Sequence, residues 1–365
     1  MNIINNRQRI IVFVIPQIAC GGAEKFVLTL SKGLCKYFNT SCHVISFTES
    51  KHFKLPNEIY FHYLPVKKSH NIFYYKKCAQ MIDNYIINNI GYPNLILANL
   101  SETIKIMRYS KLPVYNVIHS TPSIEFLMKR KGLFRLYRKF VTTKYFAYKP
   151  SICVSKGVLT DFNSNFKTNQ NSICIYNPFD RENIINKSEE KFNENFPPYI
   201  IHIGTFNKAK RQDILIKAYA RINPKEHLVL IGLPDKSNCY RKCIDLVKKF
   251  NLESKIHFIG FKENPYPYLK RAKLFVLSSQ VEGLPTVLGE AICLGIPVIS
   301  TNCKSGPSEF LLPENPQCLV PINDVNSLAN KIKEALENPS NYTAALKKCF
   351  LIEYACQQYI NLCKI

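Results

Sequence analysis

The sequence predicts an α/β protein of two doubly wound domains, each built around a parallel sheet. Two series of short apolar runs alternate with segments of helical length, which is typical of parallel strands with helices on both faces of the sheet. The series are separated by residues 181–198, which are rich in Asn, Glu and Lys and end in Pro197-Pro198, a composition typical of a linker. We therefore expect an N-terminal domain over residues 1–180 and a C-terminal domain over residues 199–340.

The N-terminal domain shows strand runs enriched in β-branched and aromatic residues, and helices with apolar residues at helical spacing. The predicted strands span residues 10–15, 43–47, 59–64, 94–98, 114–118 and 151–154. The predicted helices span residues 23–38, 73–89 and 125–148. The apolar run 10–20 imitates a signal sequence, but it is short, contains Pro16 and leads directly into a helix, so we interpret it as the first core strand.

The C-terminal domain repeats this alternation. Its predicted strands span residues 200–204, 228–231, 256–259, 274–277 and 298–300. Its predicted helices span residues 211–221, 240–250 and 287–294. Residues 341–365 show no strand pattern and are predicted as a helical tail.

Composition argues against several classes of protein. The 14 cysteines are scattered, without a Cys-x-x-Cys pair or a histidine at zinc-ligand spacing, so we expect reduced thiols in a cytosolic protein and no metal site. No stretch approaches the roughly 20 apolar residues that cross a bilayer, so we expect neither a membrane-spanning nor a secreted protein. The sequence also lacks the Asp-x-Asp, Gly-x-Gly-x-x-Gly and Gly-x-x-x-x-Gly-Lys motifs of other nucleotide-binding proteins.

The most informative segment follows the predicted strand 274–277. The turn and the start of the next helix consist of Glu282, Gly283, Leu284, Pro285 and Thr286, with Pro285 expected at the first helical position. Free N–H groups and the helix dipole favour an anion at such a helix start. Glu282 on the turn and Glu290, one turn into the helix, supply acceptors for hydroxyl groups. Donors for phosphate together with acceptors for hydroxyls are what a nucleotide-sugar requires.

This segment resembles the donor-site motif of retaining glycosyltransferases with the GT-B fold, in particular glycosyltransferase family four. The resemblance implies two Rossmann-like doubly wound domains that face a cleft, an acceptor-binding N-terminal domain, and a tail over residues 341–365 that packs back on that domain. It also implies that Glu282 contacts hydroxyls of the donor sugar and that Glu290 holds the ribose of the nucleotide.

Two features of the N-terminal domain fit the same family. Gly21-Gly22 follows the first strand and resembles the family's first loop, near the donor diphosphate and the acceptor, where glycines permit close backbone approach. His119 follows the strand 114–118, and the resemblance implies that it contacts the donor sugar near the reacting carbon. A tight turn and a structural histidine are the alternative interpretations.

Residues 204–213 resemble the family's diphosphate clamp. Lys210 matches the lysine of that pattern, whereas Thr205 stands in place of its arginine. A hydroxyl group can donate to phosphate but carries no charge. Arg211 and Lys208 are the candidates to supply the second cation.

Two further positions fit the same pocket. Phe261 follows the strand 256–259 and matches the place where members of the family hold the nucleobase. Glu309 lies in a loop that resembles the acidic loop beside the sugar, and an ordinary solvated glutamate is the alternative interpretation.

The formal net charge of +23 is unevenly spread. No acidic residue occurs between Glu125 and Asp161. The basic residues that we assign to a membrane or acceptor surface there are Arg130, Lys131, Arg135, Arg138 and Lys139. The apolar residues of this segment recur at helical spacing and are expected to pack on the core, which leaves a basic face for anionic lipid or a lipid-diphosphate acceptor. No recognition motif for nucleic acid accompanies the charge, so we expect no specific nucleic acid partner.

Together, these features predict a retaining glycosyltransferase that moves a hexose or N-acetylhexosamine from a nucleotide-diphospho-sugar, with uridine as the preferred base, to a cell-surface polysaccharide or lipid-linked glycan. The predicted catalytic residues are Glu282, His119 and Lys210, without a metal cofactor. We expect a cytoplasmic protein, peripheral at the cytoplasmic face of the inner membrane. The alternatives are a GT-B phosphorylase or epimerase and, in another class, a non-catalytic basic protein that binds membrane or nucleic acid.

Overall fold

The chain forms two compact units. The computed structural model describes residues 8–18, 21–49, 56–67, 69, 71–128 and 131–363. Unit 1 comprises Met1–Pro178 and Cys349–Ile365, and unit 2 comprises Phe179–Lys348. Unit 2 is therefore one continuous segment, whereas unit 1 takes its last residues from the C-terminus of the chain.

Unit 1 is built on one parallel sheet. Its strands are β1 (Arg9–Ile15), β2 (Thr40–Ser46), β3 (Tyr60–Tyr63), β4 (Leu95–Asn99), β5 (Val114–Ile118), β6 (Ser151–Cys153) and β7 (Ser172–Cys174). Their order is β3-β2-β1-β4-β5-β6-β7, and Ile11 in the buried centre of β1 lies opposite Cys42 of β2 and Leu95 of β4. The order reverses between β1 and β4, and sheets of this kind bind ligands at the carboxyl ends of the strands where the order reverses.

In the described part of unit 1, six helices precede its C-terminal segment. They are α1 (Gly22–Phe38), α2 (Ile72–Asn89), α3 (Leu100–Met107), α4 (Pro122–Leu127), α5 (Gly132–Phe146) and α6 (Lys156–Asn165). α6 begins after Ser155, whose hydroxyl oxygen accepts a hydrogen bond from the N–H of Val158 at 3.1 Å. Such a cap satisfies an N–H that has no partner within the helix.

Unit 2 is built on a second parallel sheet. Its strands are β8 (Tyr199–Ile203), β9 (His227–Ile231), β10 (Ile256–Phe258), β11 (Leu274–Leu277), β12 (Val298–Thr301) and β13 (Leu319–Val320). Their order is β10-β9-β8-β11-β12-β13. Here the order reverses between β8 and β11, so the loops that follow these two strands are the expected position of a ligand site.

The helices of unit 2 lie in two groups. The helices are α7 (Arg181–Ser188), α8 (Gln212–Ile222), α9 (Cys239–Lys249), α10 (Tyr266–Arg271), α11 (Thr286–Cys293), α12 (Pro307–Leu311) and α13 (Val325–Glu337), with short 3₁₀ helices at Pro316–Cys318 and Pro339–Tyr342. α8 packs on α9 and α13, whereas α7 packs on α10 and α11. This grouping is typical of a doubly wound sheet with helices on both faces.

The C-terminal segment returns to unit 1. A 3₁₀ helix at Lys348–Phe350 leads into α14 (Ile352–Ile360), which packs against α1. The contact is close because α1 presents Gly33: a β-carbon at this position would lie 2.6 Å from Cδ1 of Ile352 and 2.7 Å from the sulfur of Cys356. Glycine therefore sets the distance between the two helices.

The predicted α/β alternation is present in both units, with strand ends moved by a few residues. The segment predicted as a linker contains α7, which is capped by Asp180 and buries Ile184 in unit 2. Its polar composition reflects the exposed side of this helix. The single helix predicted over residues 125–148 is instead two helices, α4 and α5. Short elements such as β7 and β13 lack a periodic signal and were not predicted.

We expect Gly33→Val to lower the free energy of unfolding by about 1–3 kcal/mol, because added methyl groups must displace Ile352 or Cys356 from a packed contact. Urea unfolding followed by circular dichroism measures this change. Lys36→Ala, on the exposed side of the same helix, should stay within about 0.5 kcal/mol of the wild type. A Gly33→Val protein as stable as the wild type would contradict the role of this contact.

Candidate functional site

The loops after β8 and β11 meet where the strand order of unit 2 reverses. The N–H of Gln280 donates to the carbonyl oxygen of Ala209 at 2.7 Å, and the hydroxyl of Ser278 donates to the carbonyl oxygen of Lys210 at 2.8 Å. These bonds fix the backbone of one loop against the other. The side chains on both loops therefore have defined positions at the carboxyl edge of the sheet.

Lys210 and Glu282 form an ion pair across these loops. The Lys210 Nζ donates to Oε1 of Glu282 at 2.6 Å, and the two side chains are only 23% and 10% exposed. The stem of Lys210 runs over Gly204, where a β-carbon would lie 3.4 Å from its Cδ. An ammonium group carries three donors, so Lys210 can contact a phosphate oxygen while Glu282 holds it.

Glu290 lies on α11, the helix that follows the Glu282 turn. It is only 2% exposed, compared with 10% for the side chain of Glu282. Pro285 is the residue before the helix, not its first residue as predicted, because α11 begins at Thr286. The structure thus places both predicted carboxylates and the start of α11 in unit 2, on the loop and helix that follow β11.

Gly306 holds the Glu282 turn from a neighbouring loop. Its φ of 97° is in the region that favours glycine, and a β-carbon there would lie 2.5 Å from Cδ of Pro285 and 3.0 Å from the carbonyl oxygen of Gly283. Glu309 accepts from the N–H of Gly306 at 3.4 Å, so this carboxylate caps the start of α12. The neighbouring Leu284 is buried beneath the turn.

The other predicted clamp residues have different surroundings. Arg211 donates through Nε and Nη2 to the two carboxylate oxygens of Asp213 at 2.9 and 3.0 Å, and this hydrogen bonding raises the pKa of Arg211. Thr205 and Lys208 are exposed. Arg211 is therefore already bound to a carboxylate, whereas Lys208 extends into solvent.

Phe261 lies beyond β10, on the other side of β9 from the ion pair. It is half-buried and follows Gly260, whose φ is 69° and whose carbonyl oxygen accepts from the N–H of Gly232 at 2.9 Å. A β-carbon on Gly232 would collide with the carbonyl group of Gly204. Along this edge of the sheet, the loop after β8 thus contacts the loop after β9, which in turn contacts the loop after β10 that carries Phe261.

His202 is a residue of this site that the sequence analysis missed. It lies on β8, fully buried, and its Nδ1–H donates to the carbonyl oxygen of Val276 at 2.9 Å. Its Nε2 lies beneath Gly204, 3.4 Å from the position that a β-carbon would take. Burial lowers the pKa of His202 to about 4, with Lys210 adding to the effect, so the imidazole is neutral. A histidine directly before the Gly204 loop was the available signal.

In unit 1, His119 directly follows β5 and lies against two other elements. Its Nε2 is 3.0 Å from Oδ1 of Asn99, and its ring meets the edge of Phe26 at 4.9 Å. The amide group of Asn99 donates to the carbonyl oxygen of Leu97 at 2.9 Å, so Oδ1 is the acceptor and we assign the hydrogen of His119 to Nε2. Burial lowers the pKa of His119 to about 3, which keeps the ring neutral.

A cavity of about 460 Å³ opens beside His119 at the carboxyl ends of the unit 1 strands. Its polar lining includes Gln17, Glu102, Ser120 and Glu125, and its apolar lining includes Phe126. The cavity lies where the strand order reverses, between the loops after β1 and β4. Carboxylate, amide and hydroxyl groups beside an aromatic ring suit a neutral, hydroxyl-bearing ligand better than an anion.

The Gly21-Gly22 loop differs from the predicted anion site. Gly21 precedes α1, and a β-carbon there would collide with the carboxylate of Glu24. Burial raises the pKa of Glu24, and hydrogen bonds from its own N–H and that of Gly21 oppose the shift. The N–H groups at the start of α1 therefore already have a carboxyl acceptor from their own chain, with which a phosphate would compete.

The basic segment around α5 exposes apolar side chains as well as cations. Lys131 and Arg135 are exposed, Arg138 and Lys139 are half-buried, and Arg130 lies outside the described residues. The exposed apolar side chains of α5 are Leu133, Phe134, Leu136, Tyr137 and Phe140. The expectation that the apolar stripe packs on the core is therefore wrong for the first half of this helix. In the described part of the chain, no helix combines the length and hydrophobicity that crossing a bilayer requires.

Comparison with known proteins shows similarity to glycosyltransferases. Residues 182–349 match the family model "Glycosyl transferases group 1". The chain is 29% identical, over 341 residues and 91% of each chain, to the N-acetylgalactosamine-N,N'-diacetylbacillosaminyl-diphospho-undecaprenol 4-alpha-N-acetylgalactosaminyltransferase of Campylobacter jejuni. It is 27% identical over 168 residues to the lipopolysaccharide 1,6-galactosyltransferase of Salmonella typhimurium, covering 44% of this chain and 45% of that one.

Solved structures show the same fold. Sucrose-phosphate synthase from Thermosynechococcus elongatus has a TM-score of 0.79 at 19% identity, covering 97% of this chain and 98% of that one. The Anabaena protein HepE in complex with UDP and glucose has a TM-score of 0.71 at 17% identity, covering 98% and 96%. The predicted α/β fold class with the GT-B architecture is confirmed, and the matches together support a glycosyltransferase.

We expect acidification to destabilise unit 2 through His202. The unfolded histidine has a pKa near 6.5 and the folded one about 4, so below pH 6.5 the unfolded state binds a proton that the folded state does not. The free energy of unfolding should therefore decrease as the pH is lowered from 6.5 to 4. Between pH 7 and pH 5, this histidine should account for a loss of about 2 kcal/mol.

Urea unfolding at pH 7 and pH 5 tests this expectation. His202→Asn, which can keep the donor to Val276, should reduce the loss of stability on acidification by that amount. Thr205→Ala, a nearby exposed change without a titrating group, should leave the loss unchanged. Equal losses in wild type and His202→Asn would contradict the assignment of a neutral, buried imidazole.

Proposed function

We propose that the protein is a retaining glycosyltransferase that transfers a hexose or N-acetylhexosamine from a UDP-sugar to a cell-surface polysaccharide or lipid-linked glycan. The observation that carries this proposal is the Lys210–Glu282 pair at the strand reversal of unit 2, with the buried Glu290 on the next helix. The match of this unit to a glycosyltransferase family and the UDP complex of a protein with the same fold support it.

The proposed donor site divides the nucleotide-sugar among three groups. Lys210 and the N–H groups at the start of α11 face the diphosphate, Glu282 the sugar hydroxyls, and Glu290 the ribose. Positive charge placed at a leaving diphosphate stabilises the charge that develops in the transition state. In this proposal Lys210 and the helix dipole supply that charge, so the reaction needs no metal ion.

The cavity beside His119 is the proposed acceptor site. Its carboxylates, Glu102 and Glu125, can accept hydrogen bonds from sugar hydroxyls, and Phe126 offers an aromatic surface for a sugar ring. The neutral His119 can accept a hydrogen bond through Nδ1, because its hydrogen lies on Nε2. The diphospho-undecaprenol in the name of the Campylobacter jejuni relative supports a lipid-linked acceptor and a peripheral position at the cytoplasmic face of the membrane.

The configuration at the anomeric carbon of the sugar can be retained by two routes. Either the acceptor attacks from the face that the diphosphate leaves, or an enzyme carboxylate first forms a covalent glycosyl intermediate. Glu282 is already hydrogen-bonded to Lys210, which lowers the nucleophilicity of its carboxylate and favours the first route. Mass spectrometry of the enzyme after rapid quenching with donor alone separates the routes, because only the second leaves a glycosylated protein.

Donor hydrolysis is the direct test of the proposed activity. A panel of UDP-, GDP- and ADP-sugars is first screened by thermal shift, and each stabilising donor is then incubated with the enzyme while release of the nucleotide is measured. Release of UDP from one UDP-sugar supports the proposal. Stabilisation by no nucleotide-sugar, together with no release, would refute it.

We expect Glu290→Ala to weaken UDP binding by about 1.5–3 kcal/mol, because a hydrogen bond to a charged acceptor is lost. Isothermal titration calorimetry with UDP measures this change. Glu282→Ala should bind UDP almost as the wild type does but turn over the UDP-sugar more slowly, since its partner is the sugar. Unchanged UDP affinity in a folded Glu290→Ala protein would remove this residue from the nucleotide site.

Lys210→Ala should lower turnover about 10²–10³-fold, which is typical for loss of one preorganised donor at a developing charge. Because Lys210 and Glu282 are in contact, their effects should not add in the double variant. Initial rates of all four proteins of this cycle, with one donor, give the coupling. Wild-type turnover in Lys210→Ala would instead favour Lys208 or Arg211 as the cation of the clamp.

A further inference from the structure

We propose that the exposed apolar face of α5 inserts into the surface of an anionic bilayer and anchors the protein there. This proposal deepens the proposed function, because it identifies the surface on which a lipid-linked acceptor would be met. It rests on the proposed function only for that acceptor, and its test requires neither donor nor acceptor.

The apolar face lies in the first half of α5. Residues 131–137 are all exposed, including Leu133 at 83% and Phe134 at 78%. Leu133, Leu136, Tyr137 and Phe140 follow the spacing i, i+3, i+4, i+7, so they share one side of the helix. Contiguous apolar surface of this kind is rare on soluble proteins and marks an interaction site.

The second half of α5 holds the helix on unit 1. Phe146 is buried and meets Phe162 and Phe166 at ring distances of 5.0 and 5.6 Å. The guanidinium of Arg108 lies 5.0 Å from the ring of Tyr145. At about 100° per residue, Phe146 lies on the side of the helix opposite to Leu133 and Tyr137. The buried end therefore orients the apolar face away from the core of unit 1.

The charge around this face identifies the partner. The sequence of α5, GLFRLYRKFVTTKYF, contains no acidic residue. At about 100° per residue, Arg135, Arg138 and Lys139 lie on the other side of the helix, and the ammonium group of Lys144 lies 4.2 Å from the centre of the Phe140 ring. An apolar face with a basic opposite face is typical of helices that lie in the interface of anionic bilayers.

A second copy of the same chain fits this face less well. Pairing of two α5 faces would bring two cationic helices together, with Lys144 beside each face and no acidic partner on either helix. The cores of protein interfaces are also depleted in lysine. A bilayer with anionic headgroups supplies both the apolar layer and the opposite charge.

The test measures co-sedimentation with vesicles of phosphatidylglycerol and phosphatidylethanolamine, against vesicles of pure phosphatidylcholine. We expect binding to the anionic vesicles only, weakened but not abolished by salt, because screening affects the charges and not the apolar contacts. The double variant Leu133→Ser with Phe140→Ser should bind at least about tenfold more weakly, since two side chains no longer leave water. Phe73→Ser, 80% exposed on α2 of the same unit, is the matched control and should bind as the wild type.

Insertion itself can be observed with a single tryptophan, because the chain contains none. Tyr137→Trp, on the apolar face, should show a blue shift on addition of anionic vesicles and quenching by brominated acyl chains. Phe73→Trp should show neither change. Quenching at position 73 as strong as at position 137, or at neither position, would overturn the proposal.

Three other outcomes would also overturn it. They are absence of binding to anionic vesicles, equal binding of wild type and the Leu133→Ser, Phe140→Ser protein, and a concentration-dependent dimer that this variant abolishes. Donor hydrolysis in solution, measured on the same proteins, separates the two proposals. An enzyme that hydrolyses a UDP-sugar but ignores vesicles retains the proposed function and loses the anchor, and the reverse result retains only the anchor.

Discussion

The reversal of strand order in unit 2 is the constraint on which the candidate donor site depends. Since β8 and β11 are neighbours whose following helices lie on opposite faces of the sheet, the loops after them diverge and leave a crevice at their carboxyl ends. Lys210 belongs to one loop and Glu282 to the other. Backbone hydrogen bonding between the loops brings these two side chains into contact although they are 72 positions apart. The pair is therefore a consequence of topology as much as of sequence.

Glycine makes this convergence possible. Gly232 allows the loop after β9 to touch the backbone of Gly204, and Gly306 allows its loop to close on Pro285. A side chain at any of these positions would separate the loops and move the charged groups with them. The fixed positions of Lys210 and Glu282 thus depend on the absence of these β-carbons, which is the kind of preorganisation that the proposed catalysis requires.

Much of this arrangement could be predicted from the sequence. Alternating apolar runs indicated both sheets, and the segment around Glu282 and Glu290 indicated a nucleotide-sugar site, because strand ends and helix starts carry local signals. Contacts between distant segments carry none. The hydrogen bond of the buried His202 to Val276 joins residues 74 positions apart. The Glu24 carboxyl group at the start of α1 and the Asp213 partner of Arg211 are local contacts, but they depend on side-chain orientation, which periodicity does not encode. Candidate site residues were predicted where a motif existed and missed where only the fold places them.

The helix α5 also shows what a periodic sequence pattern cannot predict. Apolar residues at helical spacing indicate which side of a helix avoids water, but not what that side contacts. Here the buried Phe146 and the exposed Leu133 belong to one continuous pattern, yet only the former meets the core. An apolar face that remains exposed after folding retains most of its hydrophobic free energy for a later contact. Because the other side of this acid-free helix is basic, the proposed contact with an anionic bilayer surface would satisfy both the hydrophobic and the electrostatic terms.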